Sequence, residues 1–92
     1  MARGYWIGRV DVHNEEGYKA YAKFGGRYVV RGGQFTGVEG GSRSRNVVVE
    51  FADYDTALAC YRSPEYQANI EVRQPHAIAD LIIVEGYDEP QP

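Results

Sequence analysis

The sequence predicts an α+β fold in one domain, with strands and helices in the order β-α-β-β-α-β. Three observations predict it. Segments alternating with a period of two lie near both ends and in the middle of the chain. Stretches that open on helix-capping residues lie between them. The chain has 92 residues, 43% hydrophobic and 25% charged, which suffices for one core and not for two.

The first strand is read over 5–12, where Trp6, Gly8, Val10 and Val12 share one face and Tyr5, Ile7, Arg9 and Asp11 share the other. Asn14 then stands where an N-cap is wanted, followed by Glu15 and Glu16 at the positive end of a helix dipole. Tyr18, Tyr21 and Ala22 recur at helical spacing, and Gly25-Gly26 ends that helix. Residues 27–31 form the second strand, with an extension past the Arg31-Gly32-Gly33 corner into Gln34-Phe35 left open, and glycine-rich residues 37–44 are a connection. In the third strand, 45–51, Val47, Val49 and Phe51 share one face and Asn46, Val48 and Glu50 the other. Asp53 caps a second helix, which restarts at Ser63-Pro64-Glu65 and runs to about Arg73. Residues 79–87 form the fourth strand, and 88–92 read as a polar, proline-containing tail.

This order is the split βαβ, or ferredoxin-like, arrangement: a four-stranded antiparallel sheet with both helices on one face. The first crossover is short for its task. An eight-residue strand runs roughly 26 Å, whereas a ten-residue helix returns only about 15 Å. The crossover is therefore expected to be stretched, or to lack residues around Tyr21 to Phe24.

Composition excludes several functions. Ten basic against 13 acidic residues give a net charge of -3, which disfavours a nucleic-acid coat or a polybasic membrane binder. The longest apolar run, Leu81 to Val84, is far too short to span a bilayer. No apolar stretch follows the opening MARGYW, so no secretory signal is read there. A single cysteine, Cys60, provides no internal disulfide and no cysteine-based metal site, and a reducing cytoplasmic setting is expected.

Helices on one side leave the other sheet face open. That face is expected to carry Ile7, Val48 and either Ile83 or Val29, mixed with Arg9, Asp11, Arg31, Asn46, Glu50 and Glu85. Such apolar residues would form an exposed patch, yet the charges are too many for a dry core. A homodimer that packs two such faces together resolves both problems; a solvated face is the alternative.

The segments GYWIGRVDV, VVRGGQF, VEG, RNVVVEF, YRSPEYQ and ADLIIVEGY, in this order, resemble the bacterial family catalogued as domain of unknown function 1330. The resemblance spans residues 3–87, with YRSPEYQ its most specific piece. It implies a dimeric α/β barrel in which two sheets face each other, and a longer first helix than this chain carries. It implies no activity. Superfamily relatives include small monooxygenases, isomerase-like enzymes, haem-degrading and chlorite-converting proteins and stress-response dimers, and extending any of these chemistries here is analogy at the level of fold.

Candidate chemistry rests on the inward polar set. Arginines such as Arg31 and Arg9, with Asn46, are suited to anchor a small carboxylate or enolate while Glu50 acts as general base. Interfacial ion pairs that fix a dimer register explain the same residues. The glycines at 32, 33, 37, 40 and 41 form neither a P-loop nor a dinucleotide fingerprint and read as turn residues. Glu39 is either a contributor to a neighbouring subunit's cavity or a solvated hairpin tip. His13 and His76 are the only histidines. They lack a ligand motif, so no metal and no other cofactor is expected, and His13 is a rim residue or base at most. Ser63 reads as a cap, Cys60 as a packing thiol, and Tyr5, Tyr61, Tyr66 and Trp6 as core or interface anchors, with Tyr66 also able to turn its hydroxyl into a pocket beside the second helix.

The expected protein is a cytoplasmic homodimer that binds a small anionic organic molecule through Arg31, Glu50, Asn46 and Arg9, with Tyr5 and His13 at the rim. A cofactor-independent enzyme of monooxygenase or isomerase type, using Glu50 or His13, is the first alternative. A structural or stress-response dimer without a ligand is the second. No nucleic acid and no membrane is expected as a partner.

Overall fold

The computed structural model describes residues 2–10, 18–73 and 79–91. Its elements are β1 (Gly4–Val10), α1 (Tyr18–Lys23), β2 (Arg27–Arg31), β3 (Arg45–Phe51), α2 (Tyr54–Arg62), α3 (Pro64–Arg73) and β4 (Ala79–Glu85). The strands form one antiparallel sheet in the order β2-β3-β1-β4. The expected α+β, ferredoxin-like arrangement is thus present, with the second helical stretch divided into α2 and α3. No helix among the described residues is long and apolar enough to cross a membrane.

The helix boundaries follow from local chemistry. Asp53 caps α2 by accepting a hydrogen bond from the Thr56 backbone N–H at 2.7 Å. Ser63 serves both helices at the break. Its hydroxyl donates to the Cys60 carbonyl at 2.7 Å and accepts from the Tyr66 N–H at 3.3 Å, while Pro64 occupies the first helical position of α3. At the end of α1, Gly26 N–H bonds to Tyr21 C=O and Gly25 N–H to Ala22 C=O, with Gly25 at φ 74°. This is the Schellman closure, and its positive φ is why a glycine stands there. Only six residues of the first crossover are described as helix; residues 11–17, which complete it, lie outside the described residues.

The core sits between the helices and one sheet face. Trp6, Val49, Phe51, Ala57, Cys60 and Tyr66 are buried in it. Trp6 is its centre. Its ring lies 4.8 Å from Tyr66, 5.0 Å from Tyr21, 5.7 Å from Phe51 and 5.9 Å from Tyr61, edge-on to three of the four. Its indole N–H donates to the Ala57 carbonyl at 2.9 Å, so the one polar atom of the ring is satisfied. A single side chain from β1 therefore ties α1, α2, α3 and β3 together. The Lys23–Glu65 ion pair adds a surface link from α1 to α3.

Where β1 meets α2 the backbones are in contact. A Cβ on Gly4 would stand 2.4 Å from the Asp53 carbonyl oxygen. Gly4→Ala is expected to lower stability by about 1–3 kcal/mol, because backbone must shift to admit the methyl group. Gly25→Ala meets no atom within 4 Å and carries only its positive φ, so it should cost about 1–2 kcal/mol. Thermal or urea unfolding of the two variants checks this; a Gly4→Ala protein as stable as wild type would mean that the close approach carries no weight.

Candidate functional site

Alternation along each strand divides the sheet into a helix-covered face and an open face. The pairing register then sorts the open face into rows that cross the strands. Val30, Val48, Ile7 and Ile82 are mutual neighbours on β2, β3, β1 and β4, so one aliphatic row runs across the full width of the sheet. Ile7, Val30 and Ile82 are 38%, 40% and 58% exposed. Arg27, Glu50, Tyr5 and Val84 form the row on one side; Asn46, Arg9 and Asp80 form the row on the other. The apolar middle is thus bordered at both ends by charge.

Glu50 is the buried polar residue of this face, at 8% exposure. Its Oε1 accepts from Arg3 Nη1 at 2.7 Å and from Arg27 Nε at 2.8 Å, and its Oε2 accepts from the Tyr5 hydroxyl at 3.1 Å. The Arg27 hydrogen bond first, then those of Tyr5 and Arg3, hold the Glu50 carboxyl below the usual carboxylate range, against the opposing effect of burial. The same contact raises the Tyr5 hydroxyl above its ordinary value, so it stays a proton donor. Arg3 and Arg27 keep their remaining N–H groups toward solvent, with side chains 60% and 69% exposed. The cluster is therefore two guanidiniums on one carboxylate, beside a phenol, with unused donors facing outward.

At the other end, Arg43 Nε donates to Asp80 Oδ2 at 2.7 Å, Arg9 Nη2 stands 3.6 Å from the same oxygen, and Arg9 Nη1 donates to the Gly41 carbonyl at 3.3 Å. Arg43 holds Asp80 below its ordinary carboxylate range, with Arg9 adding to it.

The described residues expected from sequence do not all fall into one cluster. Arg9 pairs with Asn46, while Glu50 pairs with Tyr5 four positions away, about 13 Å along the strand. Arg31 is not on the open face. A bulge at Val29 shifts β2 by one residue, so Arg27 faces the side of Glu50 while Arg31 pairs with Val47 on the helix side and lies 4.7 Å over the Tyr28 ring. Ile83 and Glu85 also belong to the helix side, because they pair with Trp6 and Gly4; Ile82, Val84 and Asp80 hold the open side of β4. Val29 is the inserted residue and is 52% exposed. Tyr66 is 1% exposed and packs within the Trp6 cluster. A recess of about 400 Å³ does lie between α2 and β4, but Tyr54, Leu58, Tyr61, Arg62, Leu81 and Ile83 line it. Glu39 is exposed in the loop before β3. His13, His76 and Asp11 lie outside the described residues.

Arg3, Arg27, Arg43 and Asp80 were not singled out by sequence. The signal for Arg27 was its alternation with Tyr28, which the bulge does not disturb. Arg3 precedes the first strand and carries no periodic signal. Among the described residues no three His, Cys, Asp or Glu side chains form a group able to hold a metal ion. Cys60 is a buried thiol in no disulfide, and burial pushes its pKa up to about 11, the state of a packing residue and not of a nucleophile.

The Glu50 cluster predicts a pH dependence. With a folded-state pKa below the unfolded one, ionised Glu50 adds stability above about pH 4.5, and this is lost as pH falls through the lower folded value. Glu50→Gln is therefore expected to be less stable than wild type at pH 7, and the gap should shrink steadily below about pH 4.5. Unfolding curves of both proteins from pH 7 to pH 3 measure it; a gap that does not change with pH would remove the ion pairs as its cause.

Similarity to solved structures supports the fold. The crystal structure of RPA0582, a protein of unknown function from Rhodopseudomonas palustris, superposes with a TM-score of 0.66 at 15% identity, covering 96% of this chain and 85% of that one. A methylated form of RPA0582 gives 0.61 at 16% identity, covering 98% and 84%. No curated protein matches the chain. The family profile described as "Domain of unknown function (DUF1330)" matches residues 3–87, nearly the whole sheet-and-helix unit, and the chain belongs to that family.

Proposed function

We propose that this protein is a cytoplasmic homodimer built on the open face of its sheet, and that it binds a small anionic organic molecule beside Glu50 in each subunit. The single observation that carries the reading is the aliphatic row Val30–Val48–Ile7–Ile82, which crosses the sheet and ends in solvent. A continuous apolar stripe of this kind favours a partner surface, and a second copy presents the same stripe. A Cys60 thiol in no disulfide is in keeping with a reducing compartment.

The anion belongs at Arg3 and Arg27. Their unused N–H groups face outward from a buried carboxylate that already holds them in place, and guanidinium forks match a carboxylate in shape and charge. The Tyr5 hydroxyl, which donates its proton to Glu50 Oε2, helps hold that carboxylate beside the two guanidiniums. This geometry supports binding above catalysis. A general base works best near neutral pKa with a free oxygen, whereas both Glu50 oxygens are engaged and its carboxyl is held low.

Sedimentation velocity at micromolar concentration is expected to show a particle of twice the 10.3 kDa chain mass. Ile7→Asp, a charge placed in the middle of the stripe, should weaken self-association by roughly a hundredfold without unfolding the protein. A wild-type chain that sediments as a folded monomer would overturn the dimer. Among small carboxylic and keto acids, at least one should raise the melting temperature of wild type and not of Arg27→Ala; equal behaviour of the two proteins across the whole set would overturn the ligand site.

A further inference from the structure

The charge balance of the Glu50 cluster bears on how the open face closes. Arg3 and Arg27 bring two positive charges and Glu50 one negative, so the cluster holds one positive charge in excess among the described residues. Tyr5 remains neutral, because the same carboxylate keeps its proton in place. This excess sits on a chain whose net charge is -3, so it is a local feature and not a reflection of a basic protein. In the free subunit water solvates the exposed guanidiniums, and the excess costs little.

Covering the face changes that. A second copy brings the same surplus into the same interface, since a twofold contact presents one surface to itself. It also removes water from guanidinium N–H groups for which the described residues provide no acceptor besides Glu50. Two desolvated cationic clusters in one interface oppose association, whereas the aliphatic row favours it. The part of this opposition that the Glu50 clusters contribute disappears if each takes up one negative charge with acceptor atoms to match its donors. A monocarboxylate supplies both: one charge, and two coplanar oxygens able to bridge Arg3 and Arg27 on the solvent side of Glu50.

We propose that dimerisation through the open face and binding of a small monocarboxylate between Arg3 and Arg27 are thermodynamically linked, so that the acid acts as a neutralising wedge that lets the two faces close. The linkage rests on the dimer reading above and adds to it a reciprocal dependence: the acid tightens the dimer, and the dimer tightens the acid. It also assigns the specificity. One surplus charge per cluster favours monocarboxylates over dianions, which would leave a negative charge in the covered face.

The test is sedimentation velocity of the full chain over a micromolar concentration series, with acetate as the probe and fluoride holding ionic strength constant. In wild type, acetate at tens of millimolar is expected to lower the dimer dissociation constant roughly tenfold relative to fluoride alone. Arg27→Gln removes the surplus charge of this cluster, so acetate should tighten its dimer far less than that of wild type. Glu50→Gln raises the surplus, so its dimer should depend on acetate more steeply than wild type. A wild-type dimer equally tight in fluoride and acetate overturns the linkage and leaves the dimer standing. A chain that is monomeric under every condition overturns the dimer reading itself. An Arg27→Gln protein that responds to acetate as wild type does would remove the cluster from the effect.

Discussion

The constraint on which the rest depends is that this sheet has helices for one face only. Trp6 sits where that constraint is met. Its ring is surrounded by Tyr21, Phe51, Tyr61 and Tyr66, and its indole N–H is bound to α2. With the direction of Trp6 fixed, strand alternation fixes the direction of every neighbour. Tyr5, Ile7 and Arg9 must then point away from the helices, and the register carries that choice to Glu50, Val48 and Asn46 on one side and to Val84, Ile82 and Asp80 on the other. The candidate site is thus the reverse of the core, laid out by the same residue pairs.

The polar residues of the open face are arranged to tolerate burial. Glu50 is nearly inaccessible, yet three donors engage its two oxygens. Asp80 is likewise held by Arg43 and approached by Arg9. Charges organised in this way set direction and register more than they add stability, because each pair gives back in desolvation much of what it gains in attraction. In the dimer proposed above, the apolar row between the two clusters would supply the attraction, and the clusters would limit the orientation that fits.

Much of the fold was legible in the sequence. Alternation in 5–12 and 45–51 fixed the faces of β1 and β3, and Asp53, Ser63-Pro64 and Gly25 marked the helix ends by chemistry that operates within four residues. Two faces were not legible. The run Leu81-Ile82-Ile83-Val84 is apolar on both sides, so its period cannot tell inside from outside; only pairing with Trp6 and Ile7 decides. In β2 the pattern is a plain five-residue strand, and the extra residue at Val29 becomes visible only against β3. That single insertion moved Arg31 to the helix side. The Glu50 cluster was half legible: Glu50 and Tyr5 stood on predicted inward faces, whereas Arg3, beyond the periodic segment, depends on reach and not on pattern.

The irregularity in β2 has a further consequence. β2 is an outer strand of the sheet, bonded only to β3, and an outer strand displays a ladder of free peptide groups on which another chain can zip. The bulge between Tyr28 and Val30 breaks the spacing of that ladder midway along a strand of only five residues. A strand arriving from a neighbouring molecule finds no long, evenly spaced template there. Growth of the sheet by edge addition, the route toward fibrils, is thereby blunted at β2, and the aliphatic stripe can be displayed with less risk that molecules stack side by side into an endless ribbon.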